Sequence, residues 1–167
     1  MTDRQFSDHM MPHYRSMYGV ALAMTGNPDQ AADTVQDVML QIWSKRREIE
    51  LPATAKAYLL TAVRNRCISD RRLCRVEQCD ISNCQEPAAM ETADSSAVHS
   101  STAGMISQAI DAMPETMAEV MRLSLFGECS NSEIEQITGL SAVNVRAMLS
   151  RGRRRLRSLF TNPDRTL

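Results

Sequence analysis

The stretch Ser130 to Arg157, SNSEIEQITGLSAVNVRAMLSRGRRRLR, decides the fold class of this chain. It opens on Ser130-Asn131-Ser132-Glu133, a capping box: the serine oxygen accepts a backbone N–H three residues on, and the glutamate reaches back to the cap. A short helix is predicted behind it, Glu133 to Thr138. Gly139 fits the left-handed position that ends a helix. Ser141 then caps a longer helix, predicted from Ala142 to about Phe160 and stopped by Asn162-Pro163. A short helix, a Gly-containing turn and a long basic helix spell a helix-turn-helix. In that motif the N-terminal residues of the second helix read base edges in the major groove. Here those residues are Ser141, Ala142, Asn144, Val145 and Arg146. Arginine pairs with guanine and asparagine with adenine through two hydrogen bonds each. Further along, Arg151, Arg153, Arg154 and Arg157 suit phosphates, which position a protein without specifying sequence. The bland alternative is a helical hairpin with a solvated basic end. Cap, turn and arginine run together favour the DNA-reading motif.

Upstream, Pro114 opens a helix carrying Met117, Val120, Met121, Leu123 and Leu125, ending near Gly127. A short helix with Ile106, Ala109, Ile110 and Met113 precedes it. The first half reads as three helices. Phe6 to Met24 is predicted as one, with Tyr14, Met17, Tyr18, Ala21 and Leu22 on one face. Gly26-Asn27-Pro28 breaks it, Asn27 as cap and Pro28 at the first helical position. The second helix places Ala31, Val35, Val38, Met39, Ile42 and Trp43 on an amphipathic stripe. Pro52 separates it from a third, roughly Thr54 to Arg75, with Tyr58, Leu59, Ala62 and Val63 inward. The fold is therefore expected to be all-α: two small helical domains, 1–75 and 105–167. Residues 76–104, acidic and rich in Ser and Ala, are expected to be a flexible linker.

The net charge of −1 hides a strong segregation. Residues 64–75 carry five Arg and one Asp, and residues 146–167 seven Arg and one Asp; residues 76–99 carry five acids and no Lys or Arg. Two basic patches separated by an acidic stretch suggest two contacts with a polyanion. No charged start precedes an apolar stretch and no run approaches a bilayer span, so the chain is expected to be cytoplasmic. Five Cys in such a chain should stay reduced. Cys67, Cys74, Cys79 and Cys84 lack the close pairs of a structural zinc site, and no metal or other cofactor is expected. The 12 Met read as adaptable core filler.

Three segments now resemble one family. AADTVQDVMLQIW (Ala31 to Trp43) and AYLLTAVRNRC (Ala57 to Cys67) look like conserved region 2 of sigma factors; Met113 to Arg157 looks like their region 4. The order, spacing and missing intermediate domain resemble the extracytoplasmic-function (ECF) group of the sigma-70 family. The resemblance implies a transcription initiation factor with no enzyme chemistry. Its implied partners are RNA polymerase core, through the clamp helices of the largest subunit and the flap, promoter DNA, and an anti-sigma protein. Region 2 would bind core and open the minus-ten element; region 4 would bind the minus-thirty-five element as duplex.

Residue by residue, the polymerase face would be Asp33, Gln36, Asp37 and Leu40, at i, i+3, i+4 and i+7 of one helix. The minus-ten set would be Arg64, Asn65, Arg66, Arg71 and Arg72, with Asn65 at the position the family nearly always fills with Asn. Single-strand capture needs a cationic groove and selective contact with an exposed base. Tyr58 and Trp43 are able to stack on bases, but both fall on apolar stripes and are expected in the core. Two departures stand out: Ser69, with Asp70 beside it, where the family usually has Asp, and Glu135 where it usually has a small residue. A stand-alone DNA-binding regulator would explain residues 105–160 but not the Asp33 face. A metal- or redox-sensing protein would use the clustered Cys. An enzyme is disfavoured by the absence of a Walker loop, HExxH or GxSxG.

Overall fold

The computed structural model describes residues 1–50, 52, 54–81 and 102–161; within these, the side chains of 74–81 are not described. Every regular element among the described residues is helical. The N-terminal half holds α1 (Asp3–His9), a 3-10 turn (Met11–His13), α2 (Tyr14–Thr25), α3 (Pro28–Ser44) and α4 (Ala55–Ile81). The C-terminal half holds α5 (Thr102–Asp111), α6 (Glu115–Leu125), α7 (Asn131–Thr138) and α8 (Ala142–Thr161).

The single helix expected over Phe6 to Met24 is two helices joined by a tight turn. Pro12 carries no backbone N–H and stands in the 3-10 turn. The chain turns there, and α1 closes with the Met10 N–H on the Phe6 carbonyl. The next break follows the sequence closely. Gly26 sits left-handed at φ +69, and the Asn27 side chain accepts from the N–H groups of Asp29 (2.9 Å) and Gln30 (3.2 Å). α4 contains neither Gly nor Pro and runs on to Ile81, past the Arg75 limit expected. Residues 82–101 of the expected linker, and the Asn162-Pro163 stop, lie outside the described residues.

In the first half α2, α3 and α4 pack on one another. Met17, Val20, Ala21, Val35, Val38, Leu59, Leu60 and Val63 are buried there. Each of these Met, Val and Leu side chains contributes about 1.5–3 kcal/mol of transfer free energy. Two expected core aromatics stay at the margin, Trp43 and Tyr58 each 37% exposed. Each stands one position, about 100° around the helix, from a buried neighbour, Trp43 after Ile42 and Tyr58 before Leu59. Trp43 is held by Phe6 edge-on (4.9 Å between centroids) and by the Arg46 guanidinium over its ring (3.9 Å).

In the second half Ile110, Val120, Met121, Leu123, Ile134, Val145 and Leu149 from α5 to α8 are buried, in one cluster with the buried residues of the first half. Gly152 lets α8 approach α6 closely, since a Cβ there would collide with the Met121 side chain. Methionine fills both halves as the composition suggested: Met10, Met17, Met24, Met113 and Met121 are buried.

The halves also touch. α4 packs on α7 and α2 on α6. Gly19 lets α2 approach the turn after α6 closely; a Cβ there would stand 2.8 Å from the Phe126 carbonyl oxygen. Glu128 holds a left-handed φ of 51 without being glycine, a conformation that costs about 1 kcal/mol or more. Its carbonyl accepts the Lys56 ammonium from α4, which also lies 3.7 Å from the Glu133 carboxylate.

Candidate nucleic-acid interface

The capping box forms as read. Ser130 Oγ accepts from the Glu133 N–H (3.2 Å), and the Glu133 carboxylate accepts from the Ser130 N–H (2.8 Å). Gly139 is left-handed at φ +73, and Ser141 Oγ accepts from the Asn144 N–H (3.4 Å). α7, turn and α8 thus have helix-turn-helix form. Ser141, Asn144, Arg146, Arg151 and Arg154 are exposed and Ala142 half-buried. Val145 is not at this surface: it is fully buried, with Leu149 and Gly152 on the same inner line of α8. The residue left outside is Val143, 69% exposed and absent from the sequence-read set. The signal was available, since Val143 lies two positions, about 200°, from the buried Val145.

Arg146, Arg153, Arg154 and Arg157 line one open concavity with Asn131 and Ser150. Among the described residues none of these arginines is ion-paired; Arg146 Nε donates only to the Ala142 carbonyl (3.2 Å). Converging unpaired guanidiniums suit phosphate oxygens.

The second cationic helix is differently placed. Arg64 is ion-paired with Glu119 of α6. Arg66 lies 3.1 Å from Asp37 and 3.2 Å from Asp70. Arg71 donates to the Met24 carbonyl and stands 3.9 Å from Glu115. Asn65 and Arg72 are exposed. The unusual Ser69 donates to the Asn65 carbonyl (2.9 Å), while Asp70 holds Arg66. On α3, Asp33, Gln36 and Leu40 are exposed, Leu40 by 57%. Asp37, on the same face, carries the ion pair to Arg66. The sequence reading missed Glu115 and Glu119, whose partners are remote in the chain.

Buried thiols add no nucleophile. Burial pushes the Cys67 thiol up and that of Cys129 up to about 11, so both are protonated near neutrality. The Cys74 and Cys79 side chains, and Cys84, fall outside the described residues.

The sigma-70 region 2 model matches residues 10–73, and the sigma-70 region 4 model matches residues 103–156. The chain belongs to the sigma-70 family. Its similarity is to the ECF group within it. The ECF RNA polymerase sigma factor SigL of Mycobacterium tuberculosis is 36% identical over 64 residues, covering 38% of this chain and 36% of that protein. The match thus spans about a third of that relative's length.

Two solved structures share the fold. The sigma factor RpoE, in complex with the anti-sigma factor NepR from Bartonella quintana, aligns with a TM-score of 0.73 and 22% identity over 95% of this chain and 98% of that one. CnrH, in complex with the cytosolic domain of CnrY, aligns with a TM-score of 0.65 and 18% identity over 96% and 90%. The region 2 match takes in the 3-10 turn, α2, α3 and α4 as far as residue 73, and the region 4 match takes in α5 to α7 and α8 as far as residue 156. Among the described residues no helix is long and apolar enough to cross a membrane.

Proposed function

We propose that this sigma-70 family chain is the promoter-specificity subunit of an RNA polymerase holoenzyme. Residues 1–75 bind the core clamp helices through Asp33, Gln36, Asp37 and Leu40 and hold unwound minus-ten DNA along Arg64 to Arg72. Residues 105–167 read the minus-thirty-five duplex through α8 and meet the flap, with residues 76–104 joining the two. One observation carries the reading: a single chain holds a helix-turn-helix with unpaired arginines and, on a separate helical domain, a second arginine row beside an exposed Asp33/Gln36/Leu40 face. A duplex reader alone has no use for the second row. The factor acts in the cytoplasm, performs no chemistry of its own and is held in check by an anti-sigma protein. Both solved relatives are complexes, one with NepR and one with CnrY, which supports that last partner.

Pull-down with polymerase core tests the assignment. Replacing Asp33 and Gln36 with Ala should weaken core binding and leave helical content unchanged, because both side chains are exposed. Parental binding by the double variant removes the interface from α3. A chain that binds duplex yet never binds core is a stand-alone DNA-binding regulator instead.

A further inference from the structure

Val143 is the most exposed of the large hydrophobic side chains among the described residues, at 69%. It stands in the first turn of α8, and no neighbour covers it. Along α8 the buried line runs Val145, Leu149, Gly152. Val143, Ala147, Ser150 and Arg154 fall at i, i+4, i+7 and i+11, on the opposite line. Arg154 and Ser150 on that line also edge the arginine-lined concavity. A branched apolar group thus projects from the N-terminal turn of a cationic helix, the turn that meets base edges when such a helix enters a major groove. Only one feature of a major-groove edge is apolar, the 5-methyl group of thymine.

We propose that Val143 is a specificity-determining residue that reads a thymine methyl group in the minus-thirty-five duplex. The inference rests on the duplex-reading role of α8. It replaces Val145, which is inside the core, with the side chain that faces outward. Arg146 and Asn144 recognise purine edges by hydrogen bonds. Val143 adds a contact that water cannot satisfy, and it discriminates thymine from cytosine at one position.

The experiment uses the full chain and a duplex selected by it from a randomised library. Each thymine is replaced in turn by uracil, which removes only the methyl group. One replacement should weaken binding by about fourfold, the burial of one methyl. Val143→Ala should bind the thymine duplex about as weakly as the wild type binds that uracil duplex. It should show no further loss when the same thymine becomes uracil. Replacement at every other thymine should affect both proteins alike. Equal sensitivity of the two proteins at all thymines overturns the proposal. Arg154→Ala serves as the control for the reading beneath it. If Arg154→Ala weakens the duplex while Val143→Ala shows no thymine-dependent loss, only the Val143 assignment fails. If the full chain selects no duplex, or Arg154→Ala leaves binding untouched, the duplex-reading role of α8 fails with it.

Discussion

α4 and α8 both present a row of arginines, and the rows differ in what already holds them. On α4, Arg64 is paired with Glu119, Arg66 with Asp37 and Asp70, and Arg71 with Glu115 and the Met24 carbonyl. On α8, the arginines around the concavity are unpaired among the described residues. Two of the acids on the α4 row, Glu115 and Glu119, come from α6 in the other half of the chain. The contrast separates two uses of the same side chain. A free row attracts a polyanion at long range, with strong salt dependence. Arginines already paired, as Arg64, Arg66 and Arg71 are, must exchange an internal carboxylate for a phosphate, so their net gain is smaller.

The largest expected effect falls on the free row. Arg146→Ala should relax preference at particular base pairs, at a cost of about 1–3 kcal/mol against the correct base. Arg154→Ala should weaken every duplex alike and reduce the slope of log affinity against log salt by about 1. Titration over a salt series measures both. A uniform loss across sequences for Arg146→Ala would remove it from base readout.

The next effect comes from uncovering the neutralised row. Glu115→Gln with Glu119→Gln deletes the α6 carboxylates without adding cations. The Arg64–Glu119 pair is the larger contributor, its side chains only 24% and 16% exposed. The Arg71–Glu115 pair, at 47% and 87% exposed, is largely screened by solvent. Together the substitutions should tighten binding of a single-stranded minus-ten oligonucleotide by up to about tenfold, equivalent to about 1.4 kcal/mol. Affinity for duplex through α8 should change much less. An unchanged single-strand affinity would mean that these acids do not compete for the arginines.

Asn65 stands among the α4 arginines as an exposed, uncharged side chain with both donor and acceptor groups. Phosphate contacts favour duplex and single strand almost equally, whereas unstacking a base costs a few kcal/mol. A selective base contact must supply the difference. Asn65→Ala should leave promoter binding intact and give several-fold fewer open complexes, seen as permanganate-reactive thymines. A bubble pre-opened by mismatches should partly restore them. Parental melting by the variant would take strand capture away from this helix.

Local signals were legible in the sequence: the capping box at Ser130, the left-handed Gly139 and the Asn27 cap each depend on residues within four positions. The helix-turn-helix followed from them. Two kinds of feature were not. Pro12 was hidden inside an otherwise helical period, so the α1/α2 break was missed. The pairing of Arg64 with Glu119, 55 residues apart, depends on how α4 meets the second half. No local pattern encodes it. Val145 was misplaced for a third reason: a motif names a segment, whereas the buried line of α8 decides which side chains leave it.

The smallest effect tests the junction between the two halves. His13 closes the 3-10 turn before α2, and its pKa lies below the usual 6.5. Burial is the main cause and the nearby Lys56 cation the second, with Glu133 opposing both. The native state therefore binds the His13 proton more weakly than the unfolded chain does. Above the unfolded value both states are neutral and this stabilisation is complete. As pH falls below about 6.5 the unfolded state takes up the proton first, and stability is lost progressively through the lower native pKa. His13→Gln keeps a polar side chain that does not titrate. The wild type should lose more thermal stability between pH 7.5 and pH 5.5 than His13→Gln, by a degree or a few in Tm at most, because only one partly exposed group is involved. Parallel losses in the two proteins would place the acid sensitivity elsewhere than His13.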